Sequence, residues 1–360
     1  MTDRHPYNRG NSIRLSSGKG LAHTGRSRHG ETVSTETSNT SDPKFAAVIF
    51  NPIKVDIDAI KQAASRESSE AGWAETRYYE TSVEDPGGEV TTEALGDGAS
   101  MIIAAGGDGT VRAVAEAMSG SGVPIALLPS GTGNLLARNL DLTLDDLDHS
   151  LHSAFSGKDR PIDLAKIDIE RSDRTIDHHA YLVMAGLGLD AKMLANTDDE
   201  LKAKVGWLAY VGAIGKALTD KNYLRMRYQL GNEKPKAVRA HTIIMGNCGS
   251  LMANVVLLPD AAVDDGELDI IVLRPEGFVG WVQIFVKVIW ENGVLRRSKL
   301  GEKLISKDVK ALNYFRGEKL TVRLSRAEPI ELDGDEFGEA TALKTWVEPG
   351  GLVVRVPADA

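Results

Sequence analysis

Short unbroken apolar runs at residues 45–50, 101–105 and 125–128 alternate with segments of helical periodicity at 56–69, 110–118 and from Asn134 onward. A further strand-like run covers 76–81. Runs of this length, without polar alternation, fit strands buried on both faces, and βαβ alternation implies a doubly wound parallel sheet with ligands at the carboxyl ends of its strands. After Pro161 the rhythm changes. Strand-like runs follow one another at 162–169, 180–184, 224–230, 240–245, 268–273 and 320–324. They predict a second, mostly antiparallel domain of β-sandwich type. Two helical insertions interrupt it, at 199–219 and 278–292. The expected organisation is a disordered tail at 1–43, an α/β nucleotide-binding domain at 44–165, a β-rich lipid-substrate domain at 166–335, and C-terminal strands at 336–360 returning to the first domain.

Composition narrows the chemistry. With 360 residues, 42% of them apolar, the chain can bury a sizeable core in two domains. The tail has hardly any large apolar side chains to offset the entropy of ordering, and no signal h-region is recognisable in it. A net charge of -9 disfavours nucleic acid as a partner. One cysteine, Cys248, leaves no internal disulfide or cysteine-based metal cluster and suits the cytoplasm. No run reaches the roughly 18 apolar residues of a membrane span. The segment 278–290, with Trp281, Trp290 and Lys287 and followed by Arg296 and Arg297, is either a core-facing amphipathic helix or one lying on an anionic membrane surface. The expected location is therefore the cytoplasm, with a peripheral position at the inner membrane face left open, as is a homodimer.

Candidate chemistry concentrates in glycine loops. Gly106-Gly107-Asp108-Gly109-Thr110 ends one strand and opens a helix, and Ser130-Gly131-Thr132-Gly133-Asn134 does the same after the next. Such loops turn backbone N–H groups and a helix N-terminus toward an anion, as a nucleotide phosphate requires. Asp108 suits a magnesium ion or a substrate hydroxyl there, or it caps a helix. The spacing of neither the P-loop nor the dinucleotide fingerprint is present. Two acidic turns, 264–269 and 331–336, lie between apolar strands. Each is either ordinary turn chemistry or a set of hard oxygen ligands.

In order along the chain come Asn51-Pro52, the GGDGT loop, LPSGTGN followed by Leu136-Ala137-Arg138, Ile162-Asp163-Leu164, Ala185-Gly186-Leu187-Gly188, Gly246-Asn247, Asp264-Asp265-Gly266-x-Leu268-Asp269 and Leu332-Asp333-Gly334-Asp335. This ordered set, from about Phe45 to Val356, resembles the diacylglycerol kinase family of lipid kinases, in the branch shared by soluble bacterial enzymes and sphingosine and ceramide kinases. The resemblance implies an NAD kinase-like fold and an ATP- and magnesium-dependent kinase of phospholipid metabolism. Nucleotide would lie on Asn51, the loops 106–110 and 130–134, and Arg138; Asp264, Asp265 and Asp269 would support magnesium. Diacylglycerol is the implied acceptor, with sphingoid bases or other lipids next. The family's Asp-Gly-Glu motif supplies a glutamate as general base; this chain has Asp335 there and Glu336 beside it, and the sphingosine kinase branch favours the aspartate matching Asp108. The base is thus Asp335, Glu336 or Asp108. Leu135 stands where some bacterial members carry an acid. NAD kinase, which shares the GGDG loop, and a non-catalytic nucleotide- or membrane-binding module are the rival readings.

Overall fold

A computed structural model describes residues 44–131, 133–188, 223–249, 258, 260–274 and 312–359. The predicted tail, both helical insertions and Thr132 lie outside these residues.

Four parallel strands form the first sheet: β1 (Ala46–Phe50), β2 (Arg77–Glu80), β3 (Met101–Gly106) and β4 (Ile125–Pro129), in the spatial order β4-β3-β1-β2. Their alternation sorts side chains onto two faces. Ala47, Ile49, Ile102 and Ala104 pack with Val111, Val114 and Ala115 of α3 (Asp108–Ala117) and Ala94 of α2 (Gly88–Gly96). Ala46, Val48, Met101 and Ile103 pack on the other face with Ile60, Ala63 and Ala64 of α1 (Ile57–Glu70). Leu151, Ala154 and Phe155 of α5 (Leu147–Ser156) join that second layer. Helix starts follow from local chemistry: Asp56 accepts from the N–H groups of Asp58 and Ala59 at 3.1 Å, and Asp146 from that of His149 at 2.9 Å. A short helix, α4 (Leu135–Asn139), follows the second glycine loop.

From β5 (Lys158–Glu170) the pairing is antiparallel. β6 (Ile176–Tyr181), β7 (Met184–Leu187), β8 (Leu224–Leu230), β9 (Lys236–Ala240), β10 (Thr242–Gly246), β11 (Leu268–Leu273), β12 (Leu312–Gly317), β13 (Lys319–Leu332) and β14 (Asp335–Val356) surround a second core. Ile167, Ile169, Ala185, Leu187, Ile243, Met245, Ile270, Val322, Ile330 and Leu343 belong to it. Strand β14 serves both cores. Leu343 and Val347 pack in the second, whereas Leu352, Val354 and Val356 pack in the first, beyond a register shift between Glu348 and Leu352 at which Gly350 has φ 63°. Val354 then pairs in parallel with Ile125 of β4, so the last strand extends the sheet of the first domain.

The strand expected at 180–184 is divided. The N–H groups of Leu182, Val183 and Met184 all turn to the carboxylate of Asp333, which withdraws them from the ladder. Similarly, the run 240–245 breaks at His241 between β9 and β10.

Candidate functional site

The carboxyl ends of β1, β3 and β4 bring the two glycine loops into contact. The Ser130 N–H donates to the Gly106 carbonyl at 3.1 Å, and Gly131 lies so close to Gly107 that a Cβ on it would sit 3.4 Å from the Gly107 Cα. Asn51 forms a tight turn beside them, its Oδ1 accepting the Ile53 N–H at 3.1 Å. Thr110 is buried with its side chain packed under Gly106, where a Cβ would meet it at 2.7–2.9 Å. It braces the loop from below. Arg138 donates to the Gly133 carbonyl at 2.7 Å and so clamps its own loop, while Asn134, in the left-handed region at φ 48°, donates to the Gly131 carbonyl at 2.8 Å.

Asp108 resolves the choice between cap and chemistry in an unexpected way. It stands in the first turn of α3, but its carboxylate crosses to the other loop and accepts the N–H groups of Asn134 at 2.9 Å and Leu135 at 2.5 Å. It therefore caps α4, whose own N-cap residue provides no side-chain acceptor. Burial raises the Asp108 pKa, the two N–H donors pull it down, and the charge of Asp335 raises it again. Asp108 and Asp335 are thus electrostatic neighbours, one from each domain.

Asp335 reaches that position on a hairpin. Leu332 pairs with Asp335 across a two-residue turn, Asp333-Gly334, with φ values of 50° and 94°, the type I′ geometry for which Asp-Gly is suited. The exposed Asp335 carboxylate lies over Gly109, 2.8 Å from where a Cβ would stand. Glu336 is the next residue on the strand and projects to the opposite face. It does not share the Asp335 position. Asp333 is instead buried and accepts from Leu182, Val183 and Met184 at 2.8, 2.8 and 2.9 Å. Burial pushes its carboxyl up to about 6, against the pull of those donors and of Arg112.

The acids expected to support magnesium are separated by arginines. Asp264 pairs with Arg160 at 3.0 Å; Asp265 pairs with Arg316, which also lies 3.3 Å from Asp269. Asp269 is fully buried, bonded by the Tyr314 hydroxyl, with its Oδ2 unpartnered; burial pushes its carboxyl up to about 6. Among the described residues no three acidic, histidine or cysteine side chains converge as metal ligands. The carboxylates of the turn 264–269 are thus turned to guanidinium groups. Asp163 is likewise structural, accepting from Gly266 at 2.6 Å and Gly350 at 3.0 Å.

Two residues at the site were not singled out in the sequence. The Lys54 ammonium lies over Gly107, 2.8 Å from where a Cβ would stand, and places a cation at the first glycine loop. Its signal was the position three residues after Asn51, at the same sheet edge as GGDGT. Thr81, at the end of β2, is buried with an unpartnered hydroxyl. Only the strand order reveals that it shares this edge.

Residues 46–167 match the model of the diacylglycerol kinase catalytic domain, and residues 183–356 that of the YegS C-terminal NAD kinase β sandwich-like domain. A Pseudomonas aeruginosa protein named "Probable lipid kinase YegS-like" is 30% identical over 272 residues, covering 75% of this chain and 80% of that protein. The diacylglycerol kinase of Bacillus subtilis is 23% identical over 310 residues, 82% of this chain and 91% of its own length. A crystal structure of a diacylglycerol kinase from Bacillus anthracis shares the fold, with a TM-score of 0.64 at 19% identity over 89% of this chain and 99% of the other. Two glycine loops facing an acidic hairpin from a β-sandwich are thus accompanied by matches to both domain models, and the chain belongs to the diacylglycerol kinase and YegS-like family of lipid kinases.

Proposed function

We propose that this lipid kinase transfers the γ-phosphate of ATP to a lipid hydroxyl, with diacylglycerol as acceptor and phosphatidic acid as product, at the cytoplasmic face of a membrane. The observation that carries the reading is the placement of Asp335, from the β domain, over Gly109 of the phosphate loop. ATP phosphates would lie along Gly106, Gly107, Gly109, Ser130, Gly131 and Gly133, with Lys54 offsetting their charge. Asp335 takes the proton of the lipid hydroxyl; its oxygen forms the new bond to the γ-phosphorus, the bond from that phosphorus to the bridging oxygen breaks, and ADP leaves with the electron pair. Asp108, whose two oxygens are engaged by Asn134 and Leu135, holds the loops in register. The closeness of the Asp108 and Asp335 charges suits a hard cation between protein and phosphate, and magnesium bound there would neutralise charge on the transferred group. Ile53 and Val83, 87% and 89% exposed on the loops that follow β1 and β2, give the site an apolar rim suited to a lipid surface.

Incubation of the protein with labelled ATP, magnesium and a panel of diacylglycerol, monoacylglycerol, sphingosine, ceramide and NAD tests the reading. Phosphatidic acid is the expected product. Phosphorylation of NAD alone, or of no lipid, would overturn it. Asp335→Asn should lower turnover by about 100-fold or more, whereas Glu336→Gln should retain most of it.

A further inference from the structure

The outer face of the β domain carries an array of arginines that neither catalysis nor folding explains. Arg225 of β8 stands directly opposite Arg239 of β9, and Arg227 of β8 directly opposite Arg323 of β13. Direct partners share a face, so the four guanidinium groups project together from three neighbouring strands, all of them exposed. They line a groove of about 500 Å³ with Ser325. Like charges placed directly across a ladder destabilise it. Their compensation is slight: Glu170 lies 3.6 Å from Arg323, and among the described residues no carboxylate pairs with Arg225, Arg227 or Arg239. Protection of the edge strand β9 does not require the array, since Lys236 and Arg239 already charge that edge, whereas Arg225, Arg227 and Arg323 lie on inner strands.

An arrangement that costs stability in the free protein and concentrates positive charge on a chain of net charge -9 is suited to an anionic partner. Guanidinium forks bind phosphate oxygens two at a time, and an open, shallow groove across three strands meets a layer of them better than it encloses a small molecule. Tyr223, 43% exposed, continues the same row one step beyond Arg225, as an aromatic residue does at a membrane interface. We propose that the Arg225, Arg227, Arg239 and Arg323 face docks on the anionic phospholipid headgroups of the membrane in which this kinase finds its acceptor. The proposal rests on membership of a lipid kinase family and is independent of which lipid is phosphorylated. On a chain whose net charge is -9, such a cluster gives the molecule a preferred orientation toward an anionic surface.

The test is co-sedimentation of the full chain with vesicles of phosphatidylcholine alone or mixed with phosphatidylglycerol. Wild type is expected to bind only the anionic vesicles, less so as salt rises. Changing all four residues, Arg225→Gln, Arg227→Gln, Arg239→Gln and Arg323→Gln, should weaken binding by about 100-fold or more, taking roughly fivefold for each basic residue at the surface. The four Arg→Lys changes should restore most of it, which a folding defect would not. Turnover of detergent-dispersed lipid should be unchanged in both variants. Equal vesicle binding by wild type and the Gln variant, no binding by wild type, or retention of duplex DNA in preference to vesicles would each overturn the proposal.

Discussion

Three glycine-to-alanine changes at the candidate site separate stability from turnover, because the added methyl group meets a different neighbour in each. At Gly131 it would lie 3.4 Å from the Gly107 Cα and 3.5 Å from the Asn134 Oδ1, ordinary contacts that leave stability within about 1 kcal/mol of wild type. At Gly109 it would lie 2.8 Å from the Asp335 carboxylate, the far end of an exposed side chain that can swing away. Gly109 is in the first turn of α3, where alanine favours the helix by up to about 1 kcal/mol. Gly109→Ala should therefore be as stable as wild type or slightly more so, yet lose most of its turnover as Asp335 is displaced. At Gly133 the methyl group would run into the Asp108 carboxylate, which is held by Asn134 and Leu135. Breaking two hydrogen bonds to a charged group costs about 3 kcal/mol or more, so Gly133→Ala should lower both stability and activity. Urea unfolding and phosphorylation of detergent-dispersed diacylglycerol on the same preparations read out the series. A Gly133→Ala protein with wild-type stability would show that Asp108 does not bind the two loops together. Full turnover in Gly109→Ala would remove Asp335 from the reaction.

Two further changes probe the buried acids. Asp333→Ala leaves three buried N–H groups without an acceptor and should destabilise the protein by about 3–5 kcal/mol in urea unfolding, far more than Asp335→Asn, which relieves a repulsion with Asp108. Equal losses would contradict the division of labour within this hairpin. Asp269, pushed from 3.8 up to about 6 by burial, binds more protons folded than unfolded between those values, so its contribution to stability is present at low pH and lost as pH rises through about 6. The stability of Asp269→Asn minus that of wild type should accordingly increase from pH 4 to pH 7; a difference that stays flat would mean that Asp269 is not held in a desolvated site.

Much of the first, α/β domain was legible because its signals are local. The all-apolar β1, β3 and β4 announce strands buried on both faces, and Asp56 and the glycines mark where helices begin. In the β domain the informative contacts are distant in sequence. The division of the run 180–184 into β6 and β7 depends on Asp333, about 150 residues away, and nothing in Leu182-Val183-Met184 announces it. Likewise, β14 alternates in one register up to Glu348 and resumes in another at Leu352, so a single period does not describe it. The acids of 264–269 kept their identity but not their expected company, since Arg160 and Arg316, which engage them, lie 104 and 51 residues away.

The sequence Asp333-Gly334-Asp335 shows why residue type alone does not distinguish the two acids of this hairpin. Both aspartates belong to one tight turn, and turn chemistry makes no distinction between them. The difference arises from the type I′ geometry. It turns the Asp333 carboxylate inward onto three N–H groups of the β6–β7 connection, while Asp335, opposite Leu332 at the start of β14, is placed over Gly109 of the first glycine loop. The inward acid fixes the hairpin to the β domain, and the outward one is thereby presented from a rigid base. Asp108 repeats the principle from the other domain, spending its carboxylate on two N–H groups to join the glycine loops. Of the three carboxylates around the loops, Asp335 is the one left exposed, and the proposed role of proton acceptor falls to it because the other two are already held by backbone N–H groups.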